Sequence, residues 1–329
     1  MKDLILKKLK QNLFHFVSGE TLSQELNVSR TAIWKHIKDL RSEGYVIESF
    51  PKVGYRLISV PDVLVPSDIS ENMNTEFLGH EILYFKEIDS TNNYAKKIAY
   101  EGCKDGTVVI AERQTSGRGR LGRTWESDKG NGIWMSVILR PDISPEAIQL
   151  ITLASSVAVV EAIKDTTGIA TGIKWPNDIL LDGKKLCGIL VEMSSEMDRI
   201  NFVVIGIGIN IGQDNRDFSE NLRNKAISLK SYIYQNNINI EFTRSMIVGK
   251  LLTKIEKYYN FILKGRTEEI IQNWKKYSVV LGKEVVVSSR DGDFTGIAED
   301  LTEEGKLVIR SFDGVTQLIL SGEISLKSY

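Results

Sequence analysis

Apolar residues in the first sixty positions recur at the spacing of one helix face. Ile5, Leu9, Leu13 and Phe16 form such a series and predict an amphipathic helix. Ser18 stands as an N-cap before a second helix carrying Leu22 and Leu26, which Asn27-Val28-Ser29 interrupts. Ser29 caps a third helix with Ile33, Ile37 and Leu40 turned inward, closed by Gly44. Tyr45–Ser49 and Tyr55–Ile58 then flank the turn Pro51-Lys52-Val53-Gly54 and predict a two-stranded wing. Short helices joined by a tight break, followed by a wing, predict a winged helix-turn-helix.

Two prolines bound a linker, Pro61 to Pro66. Beyond it strand and helix patterns mix. Ile82–Phe85, Thr107–Ala111, Ile133–Leu139 and Phe202–Ile211 read as strands, and Ile148–Ile163 and Phe242–Leu263 as helices. From about Val279 short β-rich runs (Glu284–Val287, Thr295–Asp300, Leu307–Ser311, Thr316–Leu320) are divided by Gly-containing turns, which predicts a small antiparallel barrel. The chain is therefore read as a multidomain α+β protein with domains 1–62, 63–276 and 277–329.

Hydrophobic content of 42% and charged content of 26% are those of an ordinary soluble protein. No apolar run approaches the ~20 residues of a membrane span. The N-terminus alternates charged and apolar residues and carries no signal peptide, so a cytoplasmic protein with no membrane partner is expected. Two cysteines and three scattered histidines give neither a disulfide framework nor a dedicated metal site. The net charge of −1 hides an asymmetry, since residues 1–60 hold ten Lys/Arg against six Asp/Glu. On the third helix Arg30, Thr31, Trp34, Lys35, Lys38 and Arg41 lie off the apolar face, and Lys52 tips the wing. That arrangement favours DNA over a protein-interaction module.

Four clusters carry candidate chemistry. Asp89-Ser90-Thr91-Asn92-Asn93, before a helical stretch, offers hydroxyls and amides to a neutral polar group, or simply a cap. Gln114 through Trp125 interleaves Gly117, Gly119 and Gly122 with Arg118, Arg120 and Arg123, a loop suited to an anion. The same glycines match G-x-G-x-x-G, but a dinucleotide fingerprint needs a helix opening at the third glycine, and loop residues follow instead. Lys174-Trp-Pro-Asn177-Asp178 and Gly183-Lys-Lys185-Leu-Cys-Gly188 sit on turns, with Lys185 a candidate for work on an anion or a surface lysine of a routine hairpin. Gly206-Ile-Gly-Ile-Asn210 is a glycine-bearing strand.

In this order the clusters resemble the biotin protein ligase family, in its bifunctional branch that also represses the biotin operon. The matching strings are Ser90-Thr-Asn92, Gln114 through Trp125, Lys174 through Asp178, Lys185 through Glu192 and Gly206 through Asn210. Ser29 through Ile37 and Gly322-Glu-Ile-Ser-Leu extend the match to nearly the whole chain. The resemblance implies a central ligase domain with a mixed sheet and helices, class II synthetase-like, and an SH3-like C-terminal domain. It implies that biotin and ATP give biotinyl-adenylate, and that biotin then passes to a lysine of biotin carboxyl carrier protein. It places Ser90, Thr91, Asn92, Gln114, Gly117, Arg118, Gly119, Arg120 and Lys185 at biotin. Arg120, Arg123, Trp125, Asn177, Lys185 and Asn210 fall at the nucleotide. Arg118, Arg120 and Lys185 carry catalysis, with Asp178 as candidate base and as the candidate ligand for the Mg²⁺ that accompanies ATP. Ser29, Arg30, Thr31, Trp34, Lys35 and Lys52 face operator DNA, bound by an adenylate-loaded homodimer. A ligand-sensing transcription factor without catalysis and a lipoate-type ligase are the alternatives.

Overall fold

A computed structural model describes residues 1–329 apart from Glu43, Met197, Asp198, Arg290, Asp291, Ser321 and 327–329. Arg290 and Asp291, in the Gly-containing turn expected between Val287 and Thr295, lie outside the described residues. The chain divides into two compact units, Met1–Asp62 and Val63–Tyr329.

In the first unit α1 (Lys2–Gln11), α2 (Gly19–Leu26) and α3 (Arg30–Ser42) precede a hairpin of β1 (Val46–Phe50) and β2 (Gly54–Ser59). Ile5, Leu9, Leu22, Ile33, Ile37, Leu40 and Leu57 form its core. The Ser18 hydroxyl accepts the Thr21 N–H (2.9 Å) and that of Ser29 accepts the Ala32 N–H (3.2 Å), so both expected caps form. The first helix is shorter than its apolar series. It stops at Gln11, Phe14 turns left-handed (φ 65°), and Leu13 stays exposed. Gly54 (φ 132°) admits no side chain, because a Cβ there would overlap the Val17 carbonyl.

The second unit begins with α4 (Pro66–Ser70). The linker before it is pinned rather than free, since Leu64 is fully buried and its N–H meets the Glu112 carboxylate (2.8 Å). Next come β3 (Ile82–Phe85), α5 (Thr91–Tyr100), β4 (Val108–Ala111) and β5 (Gly132–Leu139). They are followed by α6 (Ile148–Thr167), β6 (Gly172–Lys174), β7 (Asp178–Leu181), β8 (Lys184–Glu196) and β9 (Arg199–Asn210). Then come α7 (Leu229–Gln235), α8 (Arg244–Leu263) and α9 (Thr267–Tyr277). The seven strands make one mixed sheet in the order β3-β4-β5-β9-β8-β7-β6, with β3 and β4 parallel and the other pairs antiparallel. Alternation along the strands divides its faces. Val109, Ile138, Phe202 and Val204 meet Ala95, Ile98 and Ala99 of α5. Val108, Ile110, Val137, Val203 and Ile205 join the larger core with α6, α8 and α9.

Helix α6 with the turn before it, Pro145–Thr167, is by length and composition the one stretch among the described residues apolar enough to cross a membrane, and 72% of an 18-residue window of it is buried, as in a core helix.

β10 (Glu284–Ser289), β11 (Gly292–Leu301), β12 (Leu307–Arg310), β13 (Thr316–Ile319) and β14 (Glu323–Leu326) form an antiparallel sheet in the order β13-β12-β11-β10-β14. Its inner residues Val285, Val287, Ala298, Leu307, Ile309 and Ile324 belong to the same apolar cluster as α6 and α8. The Trp175 indole donates to the Gly305 carbonyl (3.4 Å), a further tie between the two sheets.

Candidate active site

The even-numbered face of β9 carries Phe202 and Val204 under α5, and then runs on past the helix as Gly206, Gly208 and Asn210. Glycine is required at the first two, because neighbouring side chains lie flat on the strand. A Cβ on Gly206 would overlap Asn92 Oδ1, and one on Gly208 would stand 2.6 Å from the Trp125 ring. Gly188, paired with Gly208 across β8, meets the same indole, with a would-be Cβ 2.7 Å away. The floor so made opens into a cavity of about 810 Å³.

One end of the cavity is neutral and polar. Ser90 caps α5 (3.5 Å to the Asn93 N–H), which holds Thr91 and Asn92 buried at the helix start. Gln114 Oε1 accepts from the Thr91 N–H (2.8 Å) and lies 3.0 Å from its hydroxyl, while Gln114 Nε2 donates to Ser127 Oγ (2.8 Å). Ser136 reaches from β5 to Asn92 Oδ1 (2.6 Å) and Thr91 Oγ1 (2.8 Å).

The loop over the floor folds on itself. Trp125 N–H donates to the Gly117 carbonyl (2.9 Å), Gly119 N–H to that of Arg123 (2.7 Å), and Arg120–Gly122 make one 3-10 turn. Two of its arginines are engaged by protein groups: Arg118 Nη1 lies 3.2 Å from Glu192 and donates to Asn93 Oδ1 (3.0 Å). Arg120 donates to Asn177 Oδ1 (2.8 Å) and to the Gly322 carbonyl (3.5 Å). Half-buried carbonyl and carboxylate oxygens near a guanidinium leave it no reason to stay in solvent.

Lys185 sits on β8, not on a turn. Its ammonium pairs with Asp178 Oδ1 (2.7 Å) and lies 5.3 Å from the centre of the Trp125 ring. Asn177 and Asn210 are buried beside it. Asn177 Nδ2 donates to the Ile189 carbonyl (2.8 Å), and Asn210 Oδ1 accepts from Gln213 (3.2 Å). Phe218, Leu222 and Lys225 close one side, tied through the Lys185 N–H to the Lys225 carbonyl (2.7 Å). Gly322, Ile324 and Leu326 supply a wall from the C-terminal sheet. The cavity is thus neutral at one end, cationic in its middle and aromatic beyond.

The expected residues from Ser90 to Asn210 all come together here except Gly117, which shapes the loop without lining the cavity. Ser127, Ser136 and Glu192 were not assigned. Ser136 had a signal, as a lone hydroxyl in the otherwise apolar strand Gly132–Leu139. Burial pushes the Glu192 carboxyl up, but hydrogen bonds from Lys96 and Asn92 and the charges of Lys96 and Arg118 outweigh it. The carboxyl rests below the usual range. Among the described residues no group of three or more His, Cys, Asp or Glu could hold a metal, and the carboxylates lining the cavity are Glu126 and Asp178.

In the first unit the outer face of α3 exposes Thr31, Trp34 and Lys35, with the Lys38 ammonium 5.7 Å from the Trp34 ring centre. Arg30 pairs with Glu20 (2.9 Å), and Lys52 turns left-handed at the wing tip (φ 66°).

Three family models match the chain: an HTH domain over residues 2–56, the biotin/lipoate A/B protein ligase family over 84–210, and the biotin protein ligase C-terminal domain over 280–327. The bifunctional ligase/repressor BirA of Bacillus subtilis (strain 168) is 40% identical over 325 residues, covering 99% of this chain and 98% of that protein. BirA of Escherichia coli (strain K12) is 30% identical over 313 residues, covering 95% and 94%. Among solved structures, the biotin protein ligase from Aquifex aeolicus in complex with biotin and ATP aligns with a TM-score of 0.64 at 30% identity, covering 76% of this chain and 100% of that one.

Proposed function

Since the chain belongs to the biotin/lipoate A/B protein ligase family, we propose that it is an ATP-dependent biotin protein ligase and a DNA-binding repressor in one polypeptide. The observation that carries the ligase reading is the cavity itself. A neutral polar end, a cationic middle and an aromatic end suit a urea ring, two anions that must meet, and a base.

In this reading Ser90, Thr91, Asn92 and Gln114 hold the ring of biotin, with Gly117 and Gly119 shaping the loop over it. A carboxylate oxygen of biotin attacks the α-phosphorus of ATP. A new P–O bond forms, the α–β bridge breaks, and pyrophosphate leaves. Carboxylate and triphosphate repel each other, so Lys185, Arg118 and Arg120 lower the barrier by neutralising charge where it builds up. Arg123, Trp125, Asn177 and Asn210 grip the nucleotide. The Mg²⁺ accompanying ATP would shield phosphate charge. Asp178, with one oxygen on Lys185, and Glu126 leave most of its coordination to water and phosphate. In the second step the neutral ε-amine of an acceptor lysine attacks the anhydride carbonyl, AMP leaves, and the free oxygen of Asp178 takes the amine proton. The acceptor is biotin carboxyl carrier protein.

Residues 1–62 read DNA, 63–276 carry the chemistry and 277–329 close the site. Arg30, Thr31, Trp34 and Lys35, from the helix capped by Ser29, enter the major groove of the operator, and Lys52 meets the backbone. One module covers few base pairs, so a homodimer on a two-fold operator, formed with adenylate bound, acts in the cytoplasm.

The test is to incubate the protein with ATP and either biotin or lipoate and look for the acyl-adenylate by mass spectrometry. Biotinyl-adenylate is expected, and Lys185→Ala slows its single-turnover formation by roughly 10²–10³. Lipoyl-adenylate alone, or no adenylate, overturns the reading. Protein lacking 1–62 retains adenylation and loses operator binding.

A further inference from the structure

The polar row at the neutral end of the cavity is one hydrogen short, and Glu192 is the cause. Three contacts run in series: Asn92 Oδ1 to Ser136 Oγ (2.6 Å), Ser136 Oγ to Thr91 Oγ1 (2.8 Å), and Thr91 Oγ1 to Gln114 Oε1 (3.0 Å). Both ends are amide oxygens, which only accept. The two hydroxyls between them own one proton each, so one of the three contacts holds no hydrogen.

Turning the Asn92 amide over would present its NH₂ group to Ser136 and fill the row. Glu192 opposes that. Asn92 Nδ2 donates to Glu192 Oε2 (2.9 Å), and the reversed amide would set its oxygen against a carboxylate. Lys96 (2.8 Å) and Arg118 (3.2 Å) hold the other carboxylate oxygen and keep the group charged. The far end is equally fixed. Gln114 Oε1 also accepts the Thr91 N–H (2.8 Å), its NH₂ group donates to Ser127 Oγ, and that hydroxyl is engaged by the Trp125 carbonyl (3.0 Å).

We infer that Glu192 is a specificity-determining positioning residue: by fixing the Asn92 amide it leaves the Thr91–Gln114 end of the pocket in want of a donor. Thr91, Asn92 and Gln114 line the cavity, and Glu192 stands behind them. A ligand head with N–H groups supplies the missing hydrogen. The cyclic urea of biotin carries two such groups, and the dithiolane of lipoate carries none. A site with buried acceptors rejects a ligand that cannot donate far more strongly than an apolar pocket rejects an extra methylene. This inference rests on the ligase reading above.

The experiment exchanges donor and acceptor across the pair in the full-length protein. Glu192→Gln lets the amide turn over, and Asn92→Asp sets two carboxylates together. The double variant restores the polarity: the new amide at position 192 donates its NH₂ to one oxygen of the new carboxylate at position 92, whose other oxygen still accepts from Ser136. The biotin Kd by calorimetry, KM and kcat for adenylation with biotin and with lipoate, and the melting temperature are measured for all four proteins. Glu192→Gln is expected to raise the biotin Kd and KM by about 10- to 100-fold with kcat little changed, and to narrow the preference for biotin over lipoate, whereas Asn92→Asp keeps an acceptor facing Ser136 and is expected to lower the melting temperature with a smaller change in that preference. The double variant recovers biotin affinity to within about threefold. An unchanged biotin KM and preference in Glu192→Gln, or a double variant no better than the worse single, overturns the role of Glu192. If one variant fails to fold, the double variant against wild type still decides. Absence of biotinyl-adenylate from the wild-type protein counts against the ligase reading instead.

Discussion

Replacing Gly208 with alanine places a methyl group 2.6 Å from Cε2 and Nε1 of Trp125. Ordinary contact lies at 3.4–4 Å, so the indole must move by about 1 Å. The strand cannot retreat, because Gly208 is paired with Trp134 on β5 and with Gly188 on β8. The ring therefore rises into the cavity, where the ligase reading puts the adenine. A base stacked on an aromatic side chain is worth about 1–3 kcal/mol. With a tenfold change for each ~1.4 kcal/mol, losing that stack raises the KM for ATP by roughly 5- to 150-fold. Gly206, two residues back on the same face, gives the matched comparison, since its methyl group overlaps Asn92 Oδ1 at the opposite end of the site. Gly206→Ala should raise the KM for biotin and spare that for ATP. The assay is steady-state pyrophosphate release with each substrate varied in turn, on proteins whose melting curves confirm folding. If Gly208→Ala raises the biotin KM while sparing ATP, or if both variants leave both constants within about twofold, the placement of the substrates along β9 is wrong.

Arg244 and Glu112, both almost wholly buried, pair at 2.9 Å, and Arg244 also donates to the Gly132 carbonyl (2.9 Å). Arg244→Met leaves a buried carboxylate uncompensated and should cost about 3–5 kcal/mol in urea unfolding, and a loss under 1 kcal/mol would refute this. The loop from Ser116 to Trp125 should gain hydrogen-exchange protection when biotin and ATP are added, and equal protection with and without them would count against closure. Glu192 lies below its ordinary value near 4.5, so its contribution to stability is present above that pH and lost as the pH falls through the lowered folded value. The melting temperatures of wild type and Glu192→Gln should therefore converge as the pH falls from 7 to below about 4, and a constant gap would be the contrary result.

Elements with an unambiguous period were legible in the sequence. Ile82–Phe85 matches β3, and Ile148 marks the start of α6. Ser18 and Ser29 were legible as caps because capping is a local hydrogen bond. The end of α1 was not, because Leu13 continues the apolar series while remaining exposed, and composition does not distinguish an exposed apolar residue from a buried one. The stretch between the two prolines read as a linker, although Leu64 inserts into the core. In the site, the Gly/Arg loop announced itself by residue type. The roles of Ser136 and Glu192 did not, since they depend on the packing of α5 against the sheet, which brings Asn92 and Glu192, 100 positions apart, within hydrogen-bond reach. The Glu112–Arg244 pair likewise joins residues on distant segments.

The cavity wall contributed by β14 has a consequence for synthesis. Residues lining the site begin at Ser90 and continue to Leu326, so the site cannot be completed until β14 has left the ribosome and joined β10. The unit Met1–Asp62, with its own core, can fold while the rest is still being made. During that interval the nascent chain carries a finished DNA-reading surface and no finished ligase. A message cut short before β14 would yield a protein with the first and without the second.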